Sequence, residues 1–377
     1  MGSRTIFIPR QRPFSRTFKF MRTFRTCLIP LAISAILLLL IHLLPTRYIE
    51  AVYSRNIFRK ISYLFGLISR YIPFSLAGII LWGLSLAAAL AILALPVLLF
   101  ILPQRLNILT VYLRVTTAVL ALILLLFTLT CAPNYYRFTF AEQSGLVIRE
   151  SSVSELEALC TDLIEQTNAA RRSVDSTDRP FSALSHEAFA AFNMLETDYP
   201  FLGKAMSPAK PMPFSEILSI FNLTGFYFPY TAEANVNVHM PQTEMAFTIC
   251  HELAHTCGFM REDEANFIGY LACLKSPDVN LRYSGLYVAL MQSMNALYRA
   301  DSQRYFALRE QYSPALFNDI AHVQQYWDKY YDTPAAEASN MINDTYLKAN
   351  NLSDGTQSYG RMVDLLLAQY RQEHGIT

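Results

Sequence analysis

Long apolar runs dominate the first third of the chain, and amphipathic helical periodicity dominates the rest. Three runs, at about 28–45, 74–102 and 115–133, each approach the length a helix needs to cross a bilayer. Only Ser34 and His42 interrupt the first, and the second carries no charge. No small-x-small cleavage site follows the first run, which therefore reads as an uncleaved anchor. Beyond these runs, apolar positions recur at helical spacing over 154–172, 184–197, 214–223, 280–312, 315–331, 335–350 and 358–373. The proline-rich stretch 200–213 reads as loop. One segment has a different period: Val236 and Val238 alternate with Asn235, Asn237 and His239, the pattern of a half-exposed strand or hairpin. The pattern predicts a mainly α protein, with three membrane helices followed by a mainly helical domain that includes a short strand.

Charge divides the chain at the same place. Residues 1–27 carry seven basic residues and no acid, which by the positive-inside rule predicts a cytoplasmic tail. Three spans then place everything after Tyr135 outside the plasma membrane. The expected divisions are a tail at 1–27, a membrane region at 28–133 and an extracytoplasmic domain at 134–377. Residues 1–133 hold 14 basic residues and one acid, whereas residues 134–377 hold 17 basic and 29 acidic. A domain at −12 is repelled by phosphate backbones, which argues against a nucleic-acid partner. The loop 46–73 is basic where this topology places it outside, with five Lys or Arg against Glu50. Its aromatic and aliphatic content predicts an amphipathic segment lying on the membrane surface. The six cysteines do not make a disulfide framework at this length.

The run Thr248-Ile249-Cys250-His251-Glu252-Leu253-Ala254-His255 then supplies chemistry. On a helix, His251 and His255 lie one turn apart on one face, where two neutral imidazoles can hold one zinc ion. Glu252 is placed as general base for a metal-activated water. Thr243, Glu244 and Gly258 supply start and stop signals for a helix of about four turns. The zinc class that continues to a third histidine is excluded, because Arg261 stands there and a guanidinium cannot ligate zinc.

The acidic helix that follows can supply a third ligand, with Glu262 and Glu264 as the two candidates, and the spacing of Glu262 and Asn266 resembles the gluzincin pattern. Glu262 shares a face with Ala265, Asn266 and Gly269, whose small members would let this helix approach the His helix closely. Asn266 could then hydrogen-bond a ligand imidazole. Glu264 points toward Ile268 and Leu271, a face that reads as core. The strand before the His helix reads either as a substrate-binding strand, with Asn235 and Asn237 as contacts, or as a structural hairpin capping the helical domain.

Several motifs together carry a family resemblance. They are Asn134-Tyr135-Tyr136-Arg137, the segment from Gly225 to Asn235, His-Glu-Leu-Ala-His, Glu262-Asp263-Glu264-Ala265-Asn266-Phe267, Tyr346-Leu347-Lys348-Ala349-Asn350 and Ser358-Tyr359-Gly360-Arg361. In this order, after three apolar helices, the chain resembles a bacterial family of membrane-anchored, metallopeptidase-like proteins, domain of unknown function 3810. The resemblance covers nearly the whole chain and implies a zincin-like domain with a gluzincin-like zinc site. Tyr359 is a candidate for the hydrogen bond to the oxyanion that such sites use. The expected function is a membrane-anchored zinc metalloprotease that cuts extracytoplasmic peptides or proteins, with one Zn2+ per chain. The alternative is a non-enzymatic envelope binding or sensing protein that keeps a structural metal site.

Overall fold

A computed structural model of the protein describes residues 14–174, 179–353 and 355–376, with only the backbone described for residues 14–27, Ser358 and Tyr359. Its helices are α1 (Phe14–Leu43), α2 (Arg59–Arg70), α3 (Leu76–Ile101), α4 (Arg105–Thr130), α5 (Val153–Arg172), α6 (Phe181–Met194) and α7 (Gln242–Thr256). They continue with α8 (Glu262–Lys275), α9 (Val279–Ala300), α10 (Ser302–Arg309), α11 (Pro314–Trp327), α12 (Pro334–Ala349) and α13 (Met362–His374). Three short strands, β1 (Lys210–Pro211), β2 (Gly225–Phe228) and β3 (Glu233–Val236), complete a mainly helical fold.

The chain forms two compact units. One joins α1 up to Leu43 with Leu84–Leu129. Here α3 and α4 are long and apolar enough to cross a membrane, and their side chains are almost wholly exposed. The third expected span is present only in altered form: Leu28–Leu43 meets Thr46–Arg70 at a bend of 114°, and the two together pass as one broken span. Pro45 lies at the break, where its ring cannot continue the helix. Helix α4 starts ten residues before the apolar run at 115, because Arg105 and Arg114 end a hydropathic run without ending a helix.

The other unit joins Leu44–Gly83 with Thr130–Thr377, so the basic loop belongs with the C-terminal domain and not with the membrane region. Helix α2 turns its small and polar side inward. Ser62 Oγ donates to the Thr256 carbonyl at 2.7 Å, and Ser69 Oγ donates to Glu233 Oε1 at 2.9 Å. At Gly66 a Cβ would come within 2.6 Å of Met206 Cβ. The outward side carries Tyr63, Leu64 and Ile68. The segment is amphipathic as expected, but its polar face docks on protein. The arginines serve that docking: Arg59 donates to the Phe201 carbonyl at 2.6 Å and Arg55 to Glu50 at 2.9 Å. Arg137 meets Glu50 with two further bonds at 3.0 and 2.9 Å, and its third nitrogen reaches the Cys257 carbonyl at the end of α7.

Helices α6 to α9 pack around Phe140, Phe192, Ile249, Leu253, Phe259 and Phe267, all fully buried. Against them lies a three-stranded sheet ordered β1-β3-β2. Strand β3 is parallel to β1, with Lys210 opposite Asn235, and antiparallel to β2, with Gly225 opposite Val236. The proline-rich stretch thus contributes a strand that local composition hid. The stretch 280–312 divides into α9 and α10, because Asp301 leaves helical geometry and accepts hydrogen bonds from the Gln303 and Arg304 amides.

Glu233 ties the sheet to the start of α3. Its carboxylate accepts from the Leu76 and Ala77 amides, at 3.4 and 2.8 Å, and from Ser69 Oγ. These are two of the amides that a helix start leaves without internal partners. Glu233→Ala should therefore cost about 2–3 kcal/mol, since buried donors lose a charged acceptor. Thermal unfolding in detergent would show this as a lower midpoint, with a smaller loss in Glu233→Gln.

Candidate metal centre

The site begins with a close helix pair. Helix α7 ends as its sequence signals require: Gly258 sits at φ 88° and its amide bonds to the His255 carbonyl. Four residues later α8 starts, and it crosses α7 at Gly269. A Cβ at Gly269 would lie 3.1 Å from the His251 amide nitrogen and 3.3 Å from its Cα. The side chain is therefore absent where the two backbones approach most tightly. Glu262 lies two turns before Gly269 on the same face of α8.

That geometry brings three ligand-type atoms together. His251 Nε2 and His255 Nε2 are 3.1 Å apart, and Glu262 Oε2 lies 3.2 Å from the first and 3.6 Å from the second. A zinc ion held at its usual bond lengths would separate tetrahedral ligand atoms by about 3.3 Å. His255 Nδ1 lies 2.7 Å from the Phe259 carbonyl, which can only accept. Nδ1 therefore carries a proton, and Nε2 presents a lone pair wherever a cation takes the place of its own proton. Two nitrogens and a carboxylate oxygen at these distances demand positive charge between them. The donor set and its spacing fit a small divalent cation.

The electrostatics agree. Burial acts to raise the Glu262 carboxyl, but His255 and His251 together hold it well below the usual carboxylate range. Burial acts to lower His255, and Glu262 and Glu252 outweigh it to hold the imidazole up at about 9. Burial pushes the Glu252 carboxyl up to about 7 against the pull of the two imidazoles. Glu252 Oε2 and His251 Nδ1 are buried without a hydrogen-bond partner among the described residues. An orphaned carboxylate oxygen beside a cation-seeking cluster is expensive unless something else binds there.

The structure separates the two candidate third ligands. Glu262 joins His251 and His255 in one cluster, whose ligand atoms all lie within 4.8 Å of one another. Glu264 is buried elsewhere, where it accepts the Phe140 amide at 3.1 Å. Burial, reinforced by Asp263, pushes its carboxyl up to about 8. Asn266 lines the same cleft as the cluster. The hydrogen bond that orients His255, however, comes from the Phe259 carbonyl.

The cluster lies in a cleft of about 740 Å³ walled by α7, α8, β2 and α12. Strand β2, an edge strand, lines it with Gly225, Phe226 and Tyr227. Asn235 and Asn237 do not line it. Both follow the pattern into the middle of the sheet region and are fully buried. Asn235 accepts from Ser75 Oγ, and Asn237 donates to Ser219 Oγ and the Leu223 carbonyl. Their role is structural, and the strand facing the cleft is their neighbour. Tyr359 lies on the turn Gly355–Arg361, but its side chain is outside the described residues.

Sequence reasoning passed over Gly225 and a tyrosine pair. A Cβ on Gly225 would sit 2.7 Å from Glu252 Oε1, so glycine there makes room for the carboxylate. Tyr135 and Tyr346 join hydroxyl to hydroxyl at 2.8 Å in the cleft wall. Each lies in one of the segments that carried the family resemblance, which was the available signal. Asn134, in the first of these segments, accepts from Ser54 Oγ, and Arg137 holds Glu50.

Residues 53–367 match the family described as protein of unknown function (DUF3810). The chain belongs to this family. No curated protein and no solved structure matches the chain. For this DUF3810 protein the site is therefore read from its own geometry. Gly269→Ala should push α8 from α7 and weaken Zn2+ binding by about tenfold, the scale seen when the support of a ligand is disturbed. Competition with a chromophoric chelator measures the affinity, and circular dichroism should show unchanged helix content.

Proposed function

We propose that this protein is a membrane-anchored, zinc-dependent metallopeptidase with a zincin-like catalytic unit outside the plasma membrane. The observation that carries the reading is the meeting of His251, His255 and Glu262 within 3.6 Å, beside the orphaned Glu252. His251, His255 and Glu262 would hold the ion, with one Zn2+ per chain. A zinc ion bound there supplies Lewis acidity toward a carbonyl oxygen and makes a nearby water more acidic.

The chain's own residues do the rest. Glu252, raised by burial toward neutrality, takes a proton from the attacking water and passes it to the leaving amine. The free edge of β2 can pair with an extended peptide backbone and so present a peptide carbonyl to the site. A purely structural metal site has no need of an acid-base group placed in this way, which favours the enzyme over a binding or sensing module.

Chain order supports the topology. Helix α3 starts in the unit that carries the cluster and α4 ends in it. With α1 as a third crossing, the basic tail at 1–27 lies on the cytoplasmic side and the cleft on the other.

Purified full-length protein should bind about one zinc per chain by elemental analysis. Metal-free protein with an unchanged fold after zinc dialysis would reject the reading. Glu252→Gln should keep the zinc and lose at least about a thousandfold in peptide cleavage, as expected when a general base is removed. Glu262→Ala should lose zinc, whereas Glu264→Ala should keep it and lose stability through the freed Phe140 amide. The reverse order would reassign the ligand.

A further inference from the structure

The cleft lies against the places where the chain leaves its apolar helices. Cys131 and Tyr135, both in the cleft wall, stand one and five residues beyond Thr130, the last residue of α4. One residue advances a chain by at most about 3.6 Å, so the wall begins a single step from the helix end. The other side of the sheet is fastened to the start of α3. Glu233 caps that helix, Ser75 Oγ donates to Asn235, and Trp82 Nε1 donates to the Pro213 carbonyl at 3.0 Å. Glu233 and Asn235 belong to β3, the strand that pairs with the cleft strand β2. The cleft wall thus follows directly in the chain on the end of α4, and the sheet behind it is bonded to the first turns of α3.

The lining has its own chemistry. Apart from His251, Glu252, His255 and Glu262, the described residues lining the cleft include no Asp, Glu, Lys or Arg. The domain around them holds 46 such residues among 244, or about one in five. Phe221, Phe226, Tyr227 and Ile342 supply apolar surface, and Asn222, Ser339, Asn340 and Asn343 supply uncharged polar groups. Phe221 and Ile342 are exposed at 40% and 67%, so the rim offers apolar surface that a bound chain can cover. A charged peptide would lose hydration here without gaining a partner. An uncharged, partly apolar peptide would cover the apolar rim and meet amide and hydroxyl groups.

We infer that the substrate is the membrane-proximal, uncharged stretch of a polypeptide tethered in the same bilayer. This rests on the peptidase reading and names its substrate class. A chain emerging from the bilayer reaches the cleft within about five residues at 3.3–3.6 Å each. A site farther along the chain must fold back to the bilayer. The tether can be a membrane span or an acyl chain, since both bring the same stretch to the same height.

The test uses full-length protein in phosphatidylcholine vesicles with one fluorogenic cleavage sequence built from Ala, Leu, Asn and Ser. It is presented five residues from a single-span anchor, five residues from a palmitoyl anchor, thirty residues from each anchor on a Gly-Ser linker, or free in solution. A sixfold longer linker by itself dilutes the tethered sequence roughly fifteenfold, so near presentations should be cut at least about a hundredfold faster than far ones. Whichever anchor gives the larger gain identifies the source of the substrate. Placing two Asp or two Lys beside the scissile bond should slow cleavage at least tenfold. Ile342→Asp, at an exposed rim position that should not disturb folding, should slow cleavage of the uncharged sequence in every presentation, and an unchanged rate overturns the apolar-rim part of the inference. A near-to-far ratio no greater than that dilution, or equal rates for charged and uncharged sites, overturns the substrate class and leaves the peptidase standing. If zinc-loaded protein cuts no presentation, including free peptide in excess, the peptidase reading falls and this inference with it.

Discussion

The contact between Gly269 and the backbone of His251 is the constraint on which the site depends. Two helices joined by a turn of a few residues can pack closely only where their facing side chains are small. Glycine at the crossing leaves room for the backbone of His251, and the shared face of α8 then delivers Glu262 to the imidazoles two turns away. A larger residue would leave each helix intact and pull the carboxylate out of reach. The cluster is therefore a property of the helix pair, not of either motif alone. Its cost is the concentration of like-seeking lone pairs in a buried place, which the fold can bear only with positive charge among them.

Much of this was legible in the chain because it is local. The His helix announces its end through Gly258, which adopts the left-handed conformation the sequence position requires. The face Glu262, Ala265, Asn266 and Gly269 is a matter of helical period, and the structure uses that face as the period suggests. The apolar runs at 74–102 and 115–133 became helices with shifted ends. What could not be read was whatever depends on distant partners. The alternation around Val236 pointed to a half-exposed strand, but the strand formed is Glu233–Val236, buried throughout, and Val238 lies beyond it. The alternation also suggested a binding surface for Asn235 and Asn237. Burial by Ser75 and Ser219, 160 and 18 residues away, decides otherwise. The pairing of Lys210 with Asn235 is equally invisible in a proline-rich stretch. The basic loop looked like a membrane-surface segment because its partners, Phe201, Thr256 and Glu233, lie far along the chain.

The family resemblance and the geometry explain each other in part. Arg137 is held in a buried pair with Glu50 and lies over the ring of Phe259 at 4.0 Å, while it also binds the carbonyl of Cys257. One side chain thereby joins the docked loop, the turn after α4 and the end of the His helix. Tyr135, two residues earlier, meets Tyr346 across the cleft. A four-residue motif that looks unremarkable as sequence is thus a junction of three parts of the fold.

The docked loop also bears on the order in which this protein can be made. Glu50 is separated from Arg137 by 87 residues, Ser69 from Glu233 by 164 and Ser62 from Thr256 by 194. Residues 46–70 therefore emerge from synthesis long before the surfaces that receive them. Until then Glu50 lacks Arg137, and the serines of α2 lack their acceptors. Such distant pairings form slowly, and the waiting segment shows its apolar side to its surroundings. The cleft is completed later still, when Tyr346 reaches Tyr135, 211 residues behind it. A chain truncated before α12 would carry His251, His255 and Glu262 and still lack one wall of its cleft.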